Sequence, residues 1–143
     1  MRIGELARRA HCGTETIRFY EKQGLLPEPG RTESNYRKYH DWHLQRLRFI
    51  RNCRNLDMTH DEIRSLLQFM DQPHDSCEPV NQLLDDHIQH VDIRLNELEQ
   101  LRRQLKALRR RCATTQPVPD CGIITGLTNM PTTEKQPSAT HLG

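Results

Sequence analysis

One glycine-free stretch, from Cys77 to Cys112, constrains the fold of this 143-residue chain more than any other feature. Its only proline, Pro79, lies in the first turn of the predicted helix, where a missing N–H group is tolerated. Beyond it, apolar side chains recur at steps of three and four residues. This spacing predicts a helix over residues 76–112, roughly 50 Å long at ~1.5 Å per residue, with a narrow coiled-coil stripe. This stripe, here named the seam, consists of Leu84, Ile88, Val91, Leu95, Leu98, Leu101, Leu105 and Leu108.

The seam predicts a homodimer. A stripe this long and narrow is buried best by another helix, and no other stretch of the chain matches it. The expected partner is therefore the same helix of a second copy. If the two helices run antiparallel, Cys77 of one chain lies beside Cys112 of the other. The alternative is a plain dimerisation helix that carries two incidental thiols.

Composition and charge narrow the class of protein. Apolar residues make up 34% of the chain, so the core is small, and no apolar run is long enough to cross a membrane. The five cysteines are an odd number and Met1 leads straight into a polar helical pattern, which predicts reduced thiols and a cytoplasmic location. Residues 1–56 carry twelve Lys/Arg and six Asp/Glu, whereas the remainder carries nine and thirteen. A basic first third favours an anionic partner such as DNA.

The pattern of the first 72 residues predicts a winged helix-turn-helix domain. A short amphipathic helix over 3–10 is followed by a second helix that Thr14 begins and Gly24 ends. Residues 31–39, which mix basic side chains with tyrosines, predict a short hairpin or wing. Two further helices follow: one over about 41–55, which Asp41 caps and whose buried face includes Trp42, and one over 59–70, which a Thr59–Glu62 capping box begins. Cys12 and Cys53 are expected to pack in the core. The predicted fold is mainly α, with this N-terminal domain followed by a long antiparallel coiled-coil dimerisation helix.

Three cysteines indicate a metal centre. Cys77 and Cys112 lie at the two ends of the long helix, and Cys121 follows an eight-residue loop. An antiparallel dimer brings Cys77 of one chain to Cys112 and Cys121 of the other, which gives two equivalent three-thiolate sites. Thiolate ligands select soft ions, and three of them fall short of the four that structural zinc prefers. We therefore expect cadmium, lead or mercury, bound by a loop and short helix over 113–128, with a disordered tail over 129–143.

Other candidate residues are less specific. His87 and His90 lie one turn apart on the long helix, so a second metal site with Glu62 or His141 is a further hypothesis; the alternative is ordinary surface histidines. No glycine-rich phosphate loop, G-x-S-x-G or HExxH motif occurs, and we expect no enzymatic activity.

Several motifs together resemble the MerR family of metal-responsive transcription regulators. They are IGELA (3–7), ETIRFYE (15–21), GLL (24–26) and NYRKY (35–39). Residues 50–67, the cysteine at 77 followed by residues 80–91, and LRRRC (108–112) are similar to the cadmium/lead-responsive branch. The mercury branch also uses three cysteines with a similar loop. The tail departs from cadmium regulators that end in histidine-rich segments, because it holds only His141.

The resemblance implies how the dimer works on DNA. The homodimer would sit on a near-palindromic operator in a promoter with an overlong spacer. Metal, either Cd(II) or Pb(II), with Hg(II) or Zn(II) as alternatives, would change the relative pose of the two DNA-binding domains. The DNA then bends and untwists, so that RNA polymerase engages both promoter elements and repression gives way to activation. The DNA contacts implied are Thr16, Arg18 and Tyr20 from the recognition helix and Arg31, Asn35, Tyr36, Arg37 and Tyr39 from the wing.

Three other functions remain open at this point. A thiol redox sensor would form a reversible disulfide among the three cysteines and respond to oxidant without metal. A metal-buffering protein would bind the same ions without specific DNA binding, which the predicted winged helix-turn-helix argues against. A drug-sensing member of the family would carry a larger ligand domain than the thirty or so residues that follow Cys112.

Overall fold

The computed structural model describes residues 1–72, 76–135 and 137–142. The connector expected at 73–75 lies outside the described residues, as do Gln136 and Gly143 of the expected tail. The described residues form helices and one short hairpin, which confirms the mainly α fold. These elements are α1 (Ile3–Arg9), α2 (Thr14–Lys22), β1 (Gly30–Arg31), β2 (Arg37–Lys38), α3 (Asp41–Asn55), α4 (His60–Asp71), α5 (Glu78–Arg109), a 3₁₀ turn (Val118–Asp120) and α6 (Gly122–Asn129).

The chain divides into two compact units, Met1–Leu83 and Leu84–Gly143. In the first unit, α1 and α2 form the helix-turn-helix, and Gly24 follows α2 with a φ of 73°, the left-handed conformation that glycine tolerates. The wing is an antiparallel pair in which Gly30 lies opposite Lys38 and Arg31 opposite Arg37. The winged helix-turn-helix is thus present with the predicted order of elements.

One apolar core holds the first unit together. Its fully buried members come from every helix of the unit and from the segment after α2, and include Leu6, Ile17, Leu25, Leu47, Ile50 and Ile63. The predicted capping box at the start of α4 is confirmed, because Thr59 Oγ1 accepts from Glu62 N at 3.1 Å and Glu62 Oε1 accepts from Thr59 N at 2.9 Å. Val80 and Leu83, in the first turns of α5, pack against this same core.

The start of α3 differs from the prediction. His40, not Asp41, occupies the N-cap, and its backbone N–H donates to His43 Nδ1 at 2.9 Å. Trp42, expected in the core, is 48% exposed, and His43 is buried in its place. The reason is helical register: the buried stripe of α3 runs through His43, Leu44 and Leu47, and residue 42 lies about 100° away from residue 43 around the helix axis.

The long helix of the sequence prediction is α5, which runs for 32 residues. Its seam is exposed in the single chain: seven of the eight members are solvent-exposed, and Leu95, at its middle, is 59% exposed. A continuous apolar stripe of this length fits a coiled coil, because such a stripe is stable in water only when another helix covers it. Within the residues described here, none of the helices is both long enough and apolar enough to traverse a bilayer.

Candidate metal centre and nucleic-acid interface

Cys112 and Cys121 meet in the second unit. The chain leaves α5 after Arg109, passes through the 3₁₀ turn, and returns so that Cys121 caps the N-terminus of α6. The two thiols hydrogen bond to each other, and Cys112 Sγ also donates to the Thr114 carbonyl oxygen at 3.3 Å. Two of the three predicted thiolate ligands therefore lie together within one chain.

The two thiols differ in their electrostatic surroundings. The backbone N–H groups of Ile124 and Ile123, in the first turn of α6, lower the pKa of Cys121 because they hydrogen bond to its sulfur and stabilise the thiolate. Cys112 donates a hydrogen bond to the Cys121 sulfur, and this hydrogen bond raises the pKa of Cys112 because it stabilises the protonated thiol. Cys121 is therefore the thiol of the pair that loses its proton more readily.

Cys77 lies at the other end of α5, in the first unit. Its side chain is exposed, and the Asn81 Nδ2 amide lies 3.8 Å from its sulfur. Cys77 and Cys112 lie just beyond the two ends of α5, a continuous helix of 32 residues with a rise of about 48 Å at ~1.5 Å per residue. The third ligand therefore cannot reach the Cys112–Cys121 pair of its own chain.

The remaining cysteines are Cys12 and Cys53. Cys53 is buried, and burial raises the pKa of its thiol. Cys12 is half-buried and packs against the core, and burial likewise raises the pKa of its thiol. A raised pKa keeps the neutral, less reactive form, which fits the packing role expected for both residues.

Three of the four residues named for a second metal site, His87, His90 and His141, lie together. His141, from the tail, stacks on the His87 ring at a centroid distance of 5.2 Å, and its Nδ1 lies 3.0 Å from His90 Nδ1. Glu62 lies in the first unit, where its carboxylate caps α4. We expected residues 129–143 to be disordered; in the structure, Ser138 Oγ also donates to Glu97 Oε2 at 2.7 Å, so this segment contacts α5.

The predicted DNA-contacting residues separate into exposed and buried groups. Arg18, Arg31, Asn35 and Tyr36 are exposed and Thr16 is half-buried, so all five are accessible to a ligand. The wing tip is shaped by Asn35, whose φ of 64° is one that asparagine tolerates, and Arg31 Nη1 donates to the Asn35 carbonyl oxygen at 3.2 Å.

Tyr39, which was predicted to contact DNA, is buried in this structure. Its side chain is 1% exposed, and its hydroxyl donates to Glu21 Oε1 at 2.6 Å. Arg37 Nη1 donates to the other oxygen of the same carboxylate at 2.8 Å. Tyr20 is only 6% exposed, so its ring also belongs to the core more than to a DNA-facing surface. These side chains tie the wing to the recognition helix.

Two basic residues at the wing were not among the predicted DNA contacts: Arg2, near the start of the chain, and Lys38, in β2. The Arg2 guanidinium carbon lies 4.2 Å from the centroid of the Tyr36 ring, a cation–π contact. Both residues line a surface cavity of about 420 Å³ with Thr32, Ser34 and Tyr36. The chain start reaches the wing because Met1 and Tyr39 exchange backbone hydrogen bonds, a long-range pairing that no local pattern signals.

Known proteins match this arrangement over nearly the whole chain. Residues 1–70 match the family described as MerR HTH family regulatory protein, and residues 44–108 match the one described as MerR, DNA binding. An HTH-type transcriptional regulator ZntR homolog from Haemophilus influenzae is 47% identical over 119 residues, which are 83% of this chain and 88% of the relative.

Two solved structures share both fold and sequence with the chain. The transcription regulator PbrR691 from Ralstonia metallidurans CH34, in complex with lead(II), is 52% identical with a TM-score of 0.80, covering 89% of this chain and 98% of its own. MerR from Bacillus megaterium MB1, in complex with mercury(II), is 31% identical with a TM-score of 0.73, covering 90% of this chain and 100% of its own.

Proposed function

This chain belongs to the MerR family and is a metal-responsive transcriptional regulator, not an enzyme; from that premise we propose that it senses lead(II) or cadmium(II) as a homodimer. Mercury(II) and zinc(II) are the alternative effectors. We further propose that it acts in the cytoplasm, on promoter DNA, and controls genes for heavy-metal resistance.

The observation that supports the proposal is the placement of the three thiols, two at one end of α5 and one at the other. Cys112 and Cys121 lie in hydrogen-bonding contact, whereas Cys77 lies at the far end of a 32-residue helix. A second chain, paired antiparallel along the exposed seam, supplies its Cys77 to complete each site. Each dimer then holds two identical centres, and neither centre is complete in a single chain.

The donor set supports a soft ion. Three thiolates suit lead(II), cadmium(II) or mercury(II), while structural zinc prefers four ligands. The relative that is 52% identical was crystallised with lead(II), which favours lead among these ions. The sulfur ligands require deprotonation, and the lowered pKa of Cys121 favours the thiolate that binds the ion.

Metal binding would then act on the DNA by changing the relative position of the two winged domains of the dimer. The ion joins the end of α5 in one chain to the start of α5 in the other, and Val80 and Leu83, near that start, pack into the core of the DNA-binding unit. The ion shifts the equilibrium only if it binds the activating pose of the two winged domains more tightly than the repressing one. Bending and untwisting the promoter would then let RNA polymerase engage it.

The decisive test is a titration of the reduced protein with cadmium(II) or lead(II), followed by thiolate-to-metal ultraviolet absorption. We expect saturation near one thiolate-bound ion per chain, and loss of the band in Cys77→Ser, Cys112→Ser and Cys121→Ser alike. Cys12→Ser, which also removes one thiol, is the control and should keep the band. A band that survives Cys77→Ser at full strength would contradict the intersubunit site.

The same titration addresses the histidines. We propose His87 and His90 as a second metal site with His141, on the strength of the 3.0 Å approach of His90 Nδ1 to His141 Nδ1. Such a site would take up a further ion without adding thiolate absorption. If the protein binds no ion beyond the thiolate-bound one, the proposed histidine site is excluded.

A thiol redox sensor is the second candidate function, because Cys112 and Cys121 are in hydrogen-bonding contact and oxidation could join them in a disulfide. It predicts a change in promoter output when metal-free protein is treated with peroxide. A regulator that responds to metal and ignores peroxide excludes this reading.

A further inference from the structure

Helix α6 packs back toward the end of α5, and its first residue, Gly122, lies unusually close to Arg111. A Cβ atom on Gly122 would collide with the Arg111 carbonyl oxygen, and would lie 3.1 Å from the carbonyl carbon and 3.2 Å from Arg111 Cβ. The neighbouring backbone is anchored, since Arg111 N donates to Leu108 O at 3.1 Å and Cys112 N donates to Arg109 O at 3.4 Å. The Arg111 carbonyl therefore cannot move aside without moving Cys112.

A second glycine lies one turn further along the same face of α6. A Cβ atom on Gly126 would collide with Nη1 of Arg111 and would lie 3.3 Å from its Cδ. This neighbour is the end of a flexible side chain, which can rotate away. Glycine is a poor helix former, so two glycines in an eight-residue helix indicate that packing, not helix propensity, selects them.

We propose that Gly122 is a positioning residue of the metal centre. Because Gly122 lacks a Cβ atom, the first turn of α6 packs directly against the Arg111 carbonyl group. This contact holds Cys121 beside Cys112 before any ion binds. The inference rests on the proposed three-thiolate site and adds the reason why two of its ligands are preorganised. Ligands already in place lose less conformational freedom on binding, so the contact raises metal affinity.

The test compares Gly122→Ala with Gly126→Ala in the full-length protein. Both variants add one methyl group to α6, but only the methyl group at residue 122 meets backbone atoms. We expect Gly122→Ala to weaken cadmium(II) binding about tenfold or more, as overpacking against an immovable neighbour does. Gly126→Ala should stay within about twofold of the unmodified protein.

A second measurement works without metal. A short bifunctional thiol reagent should link Cys112 to Cys121 within one chain, and mapping the linked peptides by mass spectrometry gives the yield. We expect this yield to fall in Gly122→Ala and to persist in Gly126→Ala. Unchanged helical circular dichroism and unchanged binding to promoter DNA in both variants would show that the loss is local.

The outcomes separate this inference from the proposed function. Equal affinity and equal linking yield in Gly122→Ala and the unmodified protein would overturn the positioning role, and so would an equal loss in both alanine variants. If the unmodified protein binds no soft ion but the linking yields still differ as expected, the positioning of Cys121 stands and the proposed metal response fails.

Discussion

Glu21 shows at the level of single residues how the DNA-binding unit is held in shape. This carboxylate is buried at the end of α2, and its two oxygens accept from the Tyr39 hydroxyl and the Arg37 guanidinium. A buried carboxylate is tolerated only when charge and hydrogen bonds compensate it. The tyrosine expected on the DNA surface is therefore part of the support beneath that surface.

Tyr39→Phe should destabilise the protein by about 1–3 kcal/mol, because one oxygen of the buried carboxylate loses its donor. Tyr36→Phe is the matched control: the Tyr36 ring is 52% exposed, and the change should stay within about 0.5 kcal/mol. Urea unfolding of the metal-free protein measures both differences. Equal stability of the two variants would contradict the role given to the Tyr39 hydroxyl.

The same tyrosine gives a pH dependence with a definite sign. Burial, followed by the hydrogen bond to Glu21, raises the pKa of Tyr39 to about 12 in the folded protein, against ~10 in an unfolded chain. The folded state thus keeps a proton that the unfolded state loses, so this stabilisation is complete below about pH 10 and declines as the pH rises toward 12. Over that window, the difference in unfolding free energy between the unmodified protein and Tyr39→Phe should narrow. A constant difference would show that the Tyr39 hydroxyl does not titrate as stated.

Among the secondary-structure elements, α5 was the most predictable from the sequence, because the residues that specify it are neighbours along the chain. A helical repeat of apolar residues, a proline in the first turn and the lack of glycine specify the element without knowledge of the rest. Gly24 and the Thr59–Glu62 capping box were predictable for the same reason: each satisfies a backbone requirement within a few residues.

The features that the sequence did not predict depend on contacts between distant segments. Trp42 and His43 differ by one position on a helix, so only the assembled core decides which is buried. The pairing of Met1 with Tyr39 spans 38 residues and places Arg2 at the wing. The three cysteines were recognisable from their positions at helix ends. The close packing of α6 against Arg111 was not, because no periodic pattern in the sequence indicates it.

The seam gives a prediction that belongs to α5. In an antiparallel pair that joins Cys77 to Cys112, residue 95 lies near the two-fold axis and faces its own copy. Leu95→Glu should therefore place two like charges together in an apolar interface and weaken the dimer about tenfold or more. Asn96→Glu adds a charge to the exposed position next to it and should leave the dimer intact.

Sedimentation equilibrium measures both variants. If the chain is monomeric, the two substitutions are equivalent surface changes, because Leu95 and Asn96 are both exposed in the single chain. Equal behaviour of the two variants would therefore exclude the proposed use of the seam.

Across the whole molecule, charge is divided between the two ends of the chain. Residues 1–56 carry a net charge of +6 and the remainder carries −4. The basic segment 1–56, which contains α1, α2, the wing and α3, gains affinity for DNA by releasing counterions from the duplex, so binding should weaken as salt rises.

Arg2→Ala should lower promoter affinity several-fold and reduce the slope of log affinity against log salt by about one, the signature of a lost phosphate contact. The expectation follows from the stacking of Arg2 on Tyr36 at the wing. Lys135→Ala removes the same charge from the second unit and should leave the slope unchanged. Fluorescence anisotropy with promoter DNA over a range of salt concentrations measures both, and equal slopes for both variants would contradict a DNA-facing Arg2.

The separation of Cys77 from the Cys112–Cys121 pair has a consequence in genetic terms. Under the proposed pairing, a chain that lacks only Cys77 and a chain that lacks Cys112 and Cys121 are each unable to build a centre with their own kind. A mixed dimer of the two holds one whole centre, made from the Cys77 of the second and the thiol pair of the first. Two defective alleles expressed in one cell would therefore complement each other.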